Sequence, residues 1–178
     1  MSTQAELGQL EIQVNILIRR LQADDLPRLE WYGQFRHYRR LFRRSYQGQL
    51  RGNRLLLVAD VRGFPVGRLF IQFYSPNSQV SDGRTRAYLY SFQVMEMFQG
   101  HGIGTRLIQS AEMVLRQRNF QYASIAVAKN NDGALSLYER HNYIIVAEDD
   151  GKWSYLDHRG RECHVDEPCW MLEKTLST

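Results

Sequence analysis

The segment that decides the fold is Gln99-Gly100-His101-Gly102-Ile103-Gly104-Thr105, called the glycine turn below. It leaves a predicted strand over 87–95 and opens a run of apolar residues at helical spacing over 103–115. Glycines permit positive φ and close approach of the backbone to a ligand. The first N–H groups of a helix lack internal acceptors and lie at its positive end, so the turn predicts a phosphate or pyrophosphate site.

Two common phosphate-binding motifs do not fit the glycine turn. The dinucleotide fingerprint Gly-x-Gly-x-x-Gly would need its third glycine at Thr105 or at Leu107, depending on the register. The mononucleotide loop needs Gly-Lys-Ser/Thr, which the turn lacks. Taken alone, the segment therefore also fits an ordinary strand-to-helix turn that binds no ligand.

A second motif, about 30 residues downstream, gives the turn its context: Asn131-Asp132-Gly133-Ala134-Leu135-Ser136-Leu137-Tyr138. The glycine turn followed by this motif resembles the two acyl-CoA-binding motifs of the GNAT N-acetyltransferases, and the resemblance extends from about Ile16 to Leu172. Glu96 stands where many relatives carry Pro, and Asn142 where they commonly carry Gly. Because Asn tolerates left-handed backbone, we expect the second of these turns to survive.

The order of predicted elements is that of an α/β fold (mixed α+β). The predicted elements are a strand over 12–19, a helix start at 24–27, a helix over 33–49, a hairpin over 54–74 with its turn at 62–65, a strand over 122–128, a helix over 132–140 and closing strands over 143–147 and 169–172. The resemblance implies the GNAT fold, with one central, mixed, mostly antiparallel sheet flanked by helices and splayed between the fourth and fifth strands. We expect a flexible tail over 1–10 and one acetyltransferase domain over 11–178.

The resemblance also implies acetyl-CoA as co-substrate and assigns its contacts. Backbone groups of the glycine turn would hold the pyrophosphate, and free backbone groups around Val94 would pair with the pantetheine amides. The predicted cofactor contacts are Val94, Gln99, Gly100, His101, Gly102, Ile103, Gly104, Thr105 and Asn131. Asn131 fits a helix cap equally well, and the side chain of His101 is expected to point to solvent.

The predicted reaction is direct attack of a primary amine on acetyl-CoA. Tyr138 matches the family's tyrosine in the Leu-Tyr pair and is the predicted general acid, because a phenol of pKa about 10 is protonated at pH 7. Glu96, at the end of the fourth strand, is either the base or a solvated carboxylate. Tyr88 and Tyr90 fit packing better than base catalysis. No metal is expected, because the spacing of Cys163 and Cys169 is not a metal pattern.

The distribution of charge along the chain indicates which kind of molecule would accept the acetyl group. Residues 1–54 hold ten arginines against five acids, but the arginines over 36–44 lie opposite the apolar face of their helix and are expected to face solvent. We therefore do not expect a nucleic-acid partner. Acidic and aromatic residues over 148–168, with Trp153 and Tyr155, fit a cationic amine better. The strand over 125–128 lacks the Glu often found in relatives that modify ribosomal-protein N-termini, which favours a small-molecule amine.

Amino-acid composition limits the remaining possibilities for order, membrane insertion and location. The chain has 178 residues, 43 % of them apolar, which excludes disorder along the whole chain. Its longest apolar runs have five residues, so no membrane span is expected, and with two cysteines and no visible secretory signal a cytoplasmic location is expected. A homodimer, common in the family, stays open. The alternative function is a GNAT-like module that binds acyl-CoA without catalysis.

Overall fold

The structure is a computed structural model that describes residues 13–76 and 80–176. Nine strands and three α-helices are found there, together with three 3-10 helices at Ala23–Glu30, Arg36–Tyr38 and Glu96–Phe98. The strands and α-helices are, in chain order, β1 (Leu17–Arg20), α1 (Arg39–Leu50), β2 (Arg54–Val61), β3 (Phe64–Gln72), β4 (Arg86–Val94), α2 (Ile103–Gln117), β5 (Tyr122–Ala128), α3 (Asp132–Arg140), β6 (Ile144–Asp149), β7 (Lys152–Leu156), β8 (Glu162–Asp166) and β9 (Cys169–Thr175). None of the helices in these ranges is long and apolar enough to cross a membrane.

Seven strands form the main sheet in the order β1-β2-β3-β4-β5-β9-β6, and β7 pairs with β8 in a separate hairpin. Every pairing is antiparallel except that of β4 with β5. The parallel pairing runs from Arg86↔Tyr122 only as far as Leu89↔Ile125, so the two strands diverge beyond that point. The predicted mixed fold, with its splay between the fourth and fifth strands, is confirmed.

Alternation along the strands fills two cores, one on each face of the sheet. Leu57 and Leu69 belong to the larger core, which α2 covers, and their neighbours Leu56 and Phe70 belong to the smaller core, which α1 covers. Successive side chains of a strand point to opposite faces, which is why adjacent residues separate in this way. The face covered by α1 and the face covered by α2 are referred to below as the α1 face and the α2 face.

The hairpin between β2 and β3 turns in two residues, not in the four that were predicted. Arg62 and Gly63 both have positive φ, 50° and 85°, which is the backbone of a two-residue turn whose twist matches antiparallel strands. Phe64 and Pro65 are therefore part of β3, and their assignment to the turn was wrong.

The predicted helix over 33–49 is wrong in its first turns. Left-handed φ values of 41°, 58° and 98° at Trp31, Tyr32 and Gly33 redirect the chain, and the α-helix begins only at Arg39. From there Phe42 and Ser45 are buried, as the periodicity predicted, and most of the arginines are exposed. Arg39 is only half-exposed because it forms an ion pair with Glu30.

The predicted strand over 12–19 also begins late. Residues 13–16 precede β1, which starts at Leu17 and pairs with β2 through four residues. The predicted flexible tail over 1–10, and residue 12 at the predicted strand start, lie outside the described residues.

An arginine fixes the first strand and the 3-10 helix after it to the sheet. Arg19 of β1 donates to both carboxylate oxygens of Asp25, at 2.7 and 2.8 Å, and also to Asp60 of β2. Burial by itself raises the pKa of Asp25, but hydrogen bonds from Arg19 and from the Gln22 N–H outweigh it and lower that pKa.

Replacing Arg19 by Met is expected to lower the free energy of unfolding by about 3 kcal/mol, because buried Asp25 loses its counter-ion. A carboxylate with a lowered folded pKa stabilises the protein above its unfolded pKa and loses that effect as pH falls. The difference between the two proteins should therefore shrink below about pH 4. Urea unfolding at pH 7 and at about pH 2.5, below the unfolded pKa of a carboxyl, tests this, with exposed Arg43→Met as control, and equal midpoints for Arg19→Met and wild type at pH 7 would contradict it.

Candidate active site between the diverging strands

A cleft of about 500 Å³ opens where β4 and β5 diverge. Its walls are the end of β4, the glycine turn, the first turn of α2 and one side of α3 along its whole length. Of the predicted cofactor and catalytic residues, Val94, Gln99, Gly100, Gly102, Ile103, Gly104, Thr105, Asn131 and Tyr138 line this cleft. His101 and Glu96 do not. Residues far apart in the sequence are thus brought to one surface by the splay of the sheet.

The glycine turn places the first amide groups of α2 at the wall of the cleft. Gly100 and Gly102 have φ of 76° and 80°, a conformation that costs glycine little. Gly102 caps α2, and the Arg106 N–H donates to its carbonyl oxygen at 3.0 Å as the first backbone bond of the helix. The N–H groups of 103–105 precede that bond and have no helical acceptor. With the helix dipole, they provide a site for a phosphate group.

Gly104 brings the helix start close to β4 and α3. A Cβ at this position would lie 3.3 Å from the Phe92 ring and 3.4 Å from a methyl of Leu137. A side chain would therefore push α2 away from both elements, which is the reason for glycine in the helical first turn.

Val94 and Gln99 contact each other, which the sequence did not indicate. The Gln99 side-chain amide donates to the Val94 carbonyl oxygen at 2.9 Å. That carbonyl was predicted as a free group for the pantetheine arm. In this conformation it already has a donor, so a second donor must share it or displace Gln99.

Asn131 and His101 occupy the positions that their local motifs predict. The Asn131 side-chain oxygen accepts from the Ala134 N–H at 3.1 Å, which makes it the cap of α3, and the residue also lines the cleft. His101 is exposed, with its Nδ1 2.7 Å from the Gln99 carbonyl oxygen.

Tyr138 lies on the buried side of α3, at the cleft wall. Only 5 % of the residue is exposed, and its ring centroid lies 6.0 Å from that of Phe92 and 6.1 Å from that of Tyr143. Burial, with a smaller contribution from nearby Tyr88, raises the pKa of Tyr138 well above its ordinary value of 10. The phenol is therefore fully protonated at neutral pH and can donate a proton into the cleft.

Glu96 and Tyr90 are less engaged with the cleft. Glu96 is exposed at the start of its 3-10 helix. The Tyr90 hydroxyl lies on the α1 face, where it accepts from Arg54 at 2.9 Å and lies 3.0 Å from the Ser45 hydroxyl, which fits the predicted packing role. Nearby Tyr88 is partly buried, and desolvation raises its pKa to about 12.

Two residues at the end of α3 were not predicted to belong to the site. Arg140 lines the cleft and places a cation near the glycine turn, with its guanidinium 2.8 Å from the Ser136 hydroxyl. His141 Nε2 lies 3.4 Å from the Thr105 hydroxyl, which connects the end of α3 to the first turn of α2. Burial lowers the pKa of His141, so the ring is neutral at pH 7. Helical spacing from Leu137, three residues earlier and also in the cleft lining, could have indicated Arg140, but nothing local indicated the contact of His141.

The predicted acceptor segment, 148–168, contacts the segment before α1 through aromatic rings. The ring centroid of Tyr155 in β7 lies 5.0 Å from that of Tyr38 and 5.3 Å from that of Trp153. Several of the acids there already have partners. The N–H groups of Arg161 and Arg159 hold the pKa of Asp157 at about 2, and Glu148 forms an ion pair with Lys129. Glu167 interacts electrostatically with Tyr38, one of the rings in this aromatic contact.

Gly151 closes the base of the β7–β8 hairpin. Its φ is 65°, its carbonyl accepts from the Glu167 N–H, and an added Cβ would overlap the Glu167 carbonyl oxygen. Replacing Gly151 by Ala is expected to lower the free energy of unfolding by about 2–4 kcal/mol, because backbone strain and steric overlap add. Gly63→Ala is the control for urea unfolding, since Gly63 has φ of 85° and open space around it. Equal losses in the two variants would contradict the prediction.

Comparison with known proteins gives the family directly. A model of the acetyltransferase (GNAT) family matches residues 18–143. Mycothiol acetyltransferase of Propionibacterium freudenreichii subsp. shermanii is 28 % identical over 97 residues. That match covers 54 % of this chain but only 30 % of the relative, so the chain spans less than a third of the length of that protein.

Solved structures share the fold at low sequence identity. Ard1 from Thermoplasma volcanium superposes with a TM-score of 0.70 at 19 % identity, covering 92 % of this chain and 99 % of that one. Arabidopsis thaliana NAA60 in complex with acetyl-CoA gives 0.68 at 19 %, covering 91 % and 99 %. The ribosomal-protein-S18-alanine N-acetyltransferase from Escherichia coli gives 0.68 at 19 %, covering 92 % and 96 %. With the match over 18–143, these findings show that the chain belongs to the acetyltransferase (GNAT) family.

Proposed function

We propose that this protein transfers an acetyl group from acetyl-CoA to a primary amine by direct attack. The observation that carries the proposal is the cleft itself. The same cleft joins three amide groups without a helical acceptor, at the start of α2, to a buried, protonated tyrosine on α3. A related structure, that of Arabidopsis thaliana NAA60, is a complex with acetyl-CoA, which supports this co-substrate.

The glycine turn and Arg140 bind the phosphate end of the co-substrate in this proposal. Amides 103–105 donate to the pyrophosphate, and the Arg140 guanidinium adds a positive charge at the same wall. The unpaired edge of β4 beyond Leu89 is available to align the pantetheine arm, with Val94 exchanging its Gln99 donor for an amide of the arm. Alignment in a sheet gap positions the thioester for attack.

Tyr138 acts as general acid when the carbon–sulfur bond breaks. In direct attack the amine nitrogen bonds to the acetyl carbon, CoA leaves as a thiolate, and the phenol of Tyr138 gives that sulfur its proton. The tyrosinate is then reprotonated from solvent. Because burial disfavours the tyrosinate, the proton stays on the phenol until the thiolate forms next to it.

The amine must lose a proton before or during attack. Glu96 remains the proposed base, acting through water because its side chain is exposed and does not line the cleft. If the enzyme supplies no base, a basic amine reacts only through the small fraction of its molecules that is uncharged in solution. Glu96→Gln distinguishes the two, since only loss of a true base changes the acid limb of the kcat/KM profile.

A small-molecule amine is the proposed acceptor class. The aromatic contact between Tyr38 and Tyr155, with Glu167 beside it, provides ring faces and negative charge for a cationic amine. The sequence relative is named for mycothiol, whereas one structural neighbour is named for a ribosomal-protein N-terminus. The acceptor therefore has to be found by experiment.

An acceptor panel tests the proposed function. Thiol release from acetyl-CoA is measured with small amines, amino acids and peptides with free N-termini, and binding of acetyl-CoA is measured separately by calorimetry. Turnover with at least one amine, at a rate above hydrolysis without acceptor, is the expected result. Binding of acetyl-CoA without turnover on any amine would instead indicate a non-catalytic acyl-CoA-binding module.

A further inference from the structure

A buried arginine lies on the α1 face beside the cleft, where the proposed mechanism does not use it. Arg68 of β3 is only 3 % exposed and is directly opposite Gln93 of β4, which lines the cleft. Its neighbour Gly67 faces Ile103 and Leu107 of α2, so the Arg68 side chain points to the opposite face. Arg68 is thus separated by the sheet from the glycine turn and belongs to the proposed acceptor side.

Aromatic rings surround the Arg68 guanidinium. Its central carbon lies 4.4 Å from the ring centroid of Phe35, 4.8 Å from that of Trp31 and 5.1 Å from that of Phe42. Nε donates to the Ser91 hydroxyl at 3.1 Å, where the register of β4 shifts. Nη1 is buried and has no hydrogen-bond partner among the described residues. A donor on a charged group is therefore left unused.

Every other buried charged residue in the described ranges has a charged partner, and Arg68 does not. The buried carboxylates all form ion pairs with other cations: Asp25 and Asp60 with Arg19, Glu30 with Arg39, Glu112 with Lys174 and Asp157 with Arg161. Within 13–76 and 80–176, no carboxylate pairs with Arg68. An unpaired buried charge with an unsatisfied donor is costly for stability. Ring faces offset part of that cost, but they do not accept the Nη1 hydrogen.

We propose that Arg68 is the anion-recognition group of the acceptor site, and that the acceptor is an amine that also carries a carboxylate, as an amino acid does. This inference rests on the proposed acetyl transfer. The planar guanidinium offers two parallel N–H donors, which match a carboxylate better than they match any neutral group. The charge persists at neutral pH, since burial lowers the pKa of Arg68 only to about 9.

The surroundings of Arg68 are continuous with the acceptor side. The Tyr38 hydroxyl interacts electrostatically with Arg68, and the Tyr38 ring stacks on Phe35 at 6.3 Å and contacts Tyr155 of the hairpin. The covering rings come mostly from 31–38, which contains no α-helix and begins with three left-handed residues. The carboxylate enters by parting these side chains, and the amine then reaches the cleft past Gln93.

Matched acceptors test the inference. The twenty protein amino acids are compared with their α-carboxamides, which keep the amine and remove the charge. We expect kcat/KM at least tenfold higher for the best amino acid than for its amide. Arg68→Met should abolish that preference through KM, with the amide rate changed by less than about threefold. Arg68→Lys should keep part of the preference, because it keeps the charge but not the paired donors.

The control is Arg54, which lies on the same face but bonds to Ser45 and Tyr90 within the protein. Arg54→Met should leave the ratio of amino acid to amide unchanged. Equal turnover of amino acids and amides by the wild type would overturn the inference, as would an equal loss on both acceptors in Arg68→Met. If Arg68→Met does not fold, the wild-type ratio and Arg68→Lys decide.

Failure of the proposed function gives a different pattern. If acetyl-CoA binds and no amine is acetylated, the transfer proposal fails, and amino-acid binding is then measured in the presence of CoA by thermal shift. Arg68 would still be supported as an anion site if an amino acid stabilised the wild type and its amide did not. In Arg68→Lys that stabilisation should be weaker or absent. Equal effects of both compounds would overturn it.

Discussion

Replacing Tyr138 by Phe is expected to lower kcat for acetyl transfer by about 100-fold, the usual loss when a general acid is removed. Binding of acetyl-CoA should be unchanged, because the phenyl ring keeps its contacts with Phe92 and Tyr143. Since the pKa of Tyr138 is raised well above 10, the wild type should show no decline in kcat from this group below pH 10. Stopped-flow thiol release on the best acceptor, over a range of pH, gives both quantities.

Tyr143 provides a matched control for that experiment. It is also a buried tyrosine, 6.1 Å from Tyr138, and its hydroxyl lies beside the Glu112 carboxylate, outside the cleft lining. Tyr143→Phe therefore removes the same atom from the same core without touching the cleft lining. We expect its kcat to stay within about twofold of wild type. Wild-type kcat in Tyr138→Phe, or an equal loss in both variants, would remove Tyr138 from the mechanism.

Replacing Gly102 by Ala is expected to weaken acetyl-CoA binding by at least about tenfold, or about 1.4 kcal/mol. Gly102 has φ of 80° and lines the cleft, and no protein atom lies within 4 Å of an added Cβ. The methyl group would therefore project into space that the phosphates need, and the strain would shift the amides of the first helical turn. Calorimetric titration with acetyl-CoA measures the loss.

Gly52→Ala is the control that separates the effect of Gly102→Ala on acetyl-CoA binding from its effect on stability. Its φ is 83°, and an added Cβ again meets nothing within 4 Å, but it lies between α1 and β2, away from the cleft. Both alanine variants should lose about 1 kcal/mol of stability from the left-handed backbone. Only Gly102→Ala should lose affinity, and a normal dissociation constant for it would mean that the glycine turn does not hold the phosphates.

Local patterns predicted the elements whose signals lie within a few residues. The bounds of β5 and α3 came out as predicted, because each has a clear period and α3 has Asn131 as its cap. Asn142 adopts the left-handed backbone, φ 64°, that was expected of it in place of glycine. The start of α1 could not be predicted in this way. Its amphipathic period continues upstream, but the left-handed residues 31–33 turn the chain for reasons of packing against β3.

In the candidate site, too, some residues could be predicted from local sequence and others could not. The glycine turn and Tyr138 could be found from motifs, because a phosphate-binding helix start and a residue on a helix face are local features. The contact between His141 and Thr105 and the environment of Arg68 join distant segments. No sequence period indicates such contacts, and Arg68 in particular reads as an ordinary strand residue until its partners are seen.

The sequence by itself determined the family, the α/β fold and the placing of the phosphate site at the start of α2, since each depends on residue type and short spacing. Only the tertiary structure decided which groups are left without partners. Burial raises the pKa of Tyr138, neighbouring cations neutralise the buried acids, and Arg68 alone among the described buried charges keeps an unused donor. Desolvation and pairing depend on what the folded chain places around a group, which is why charge counts along the sequence could not reveal them.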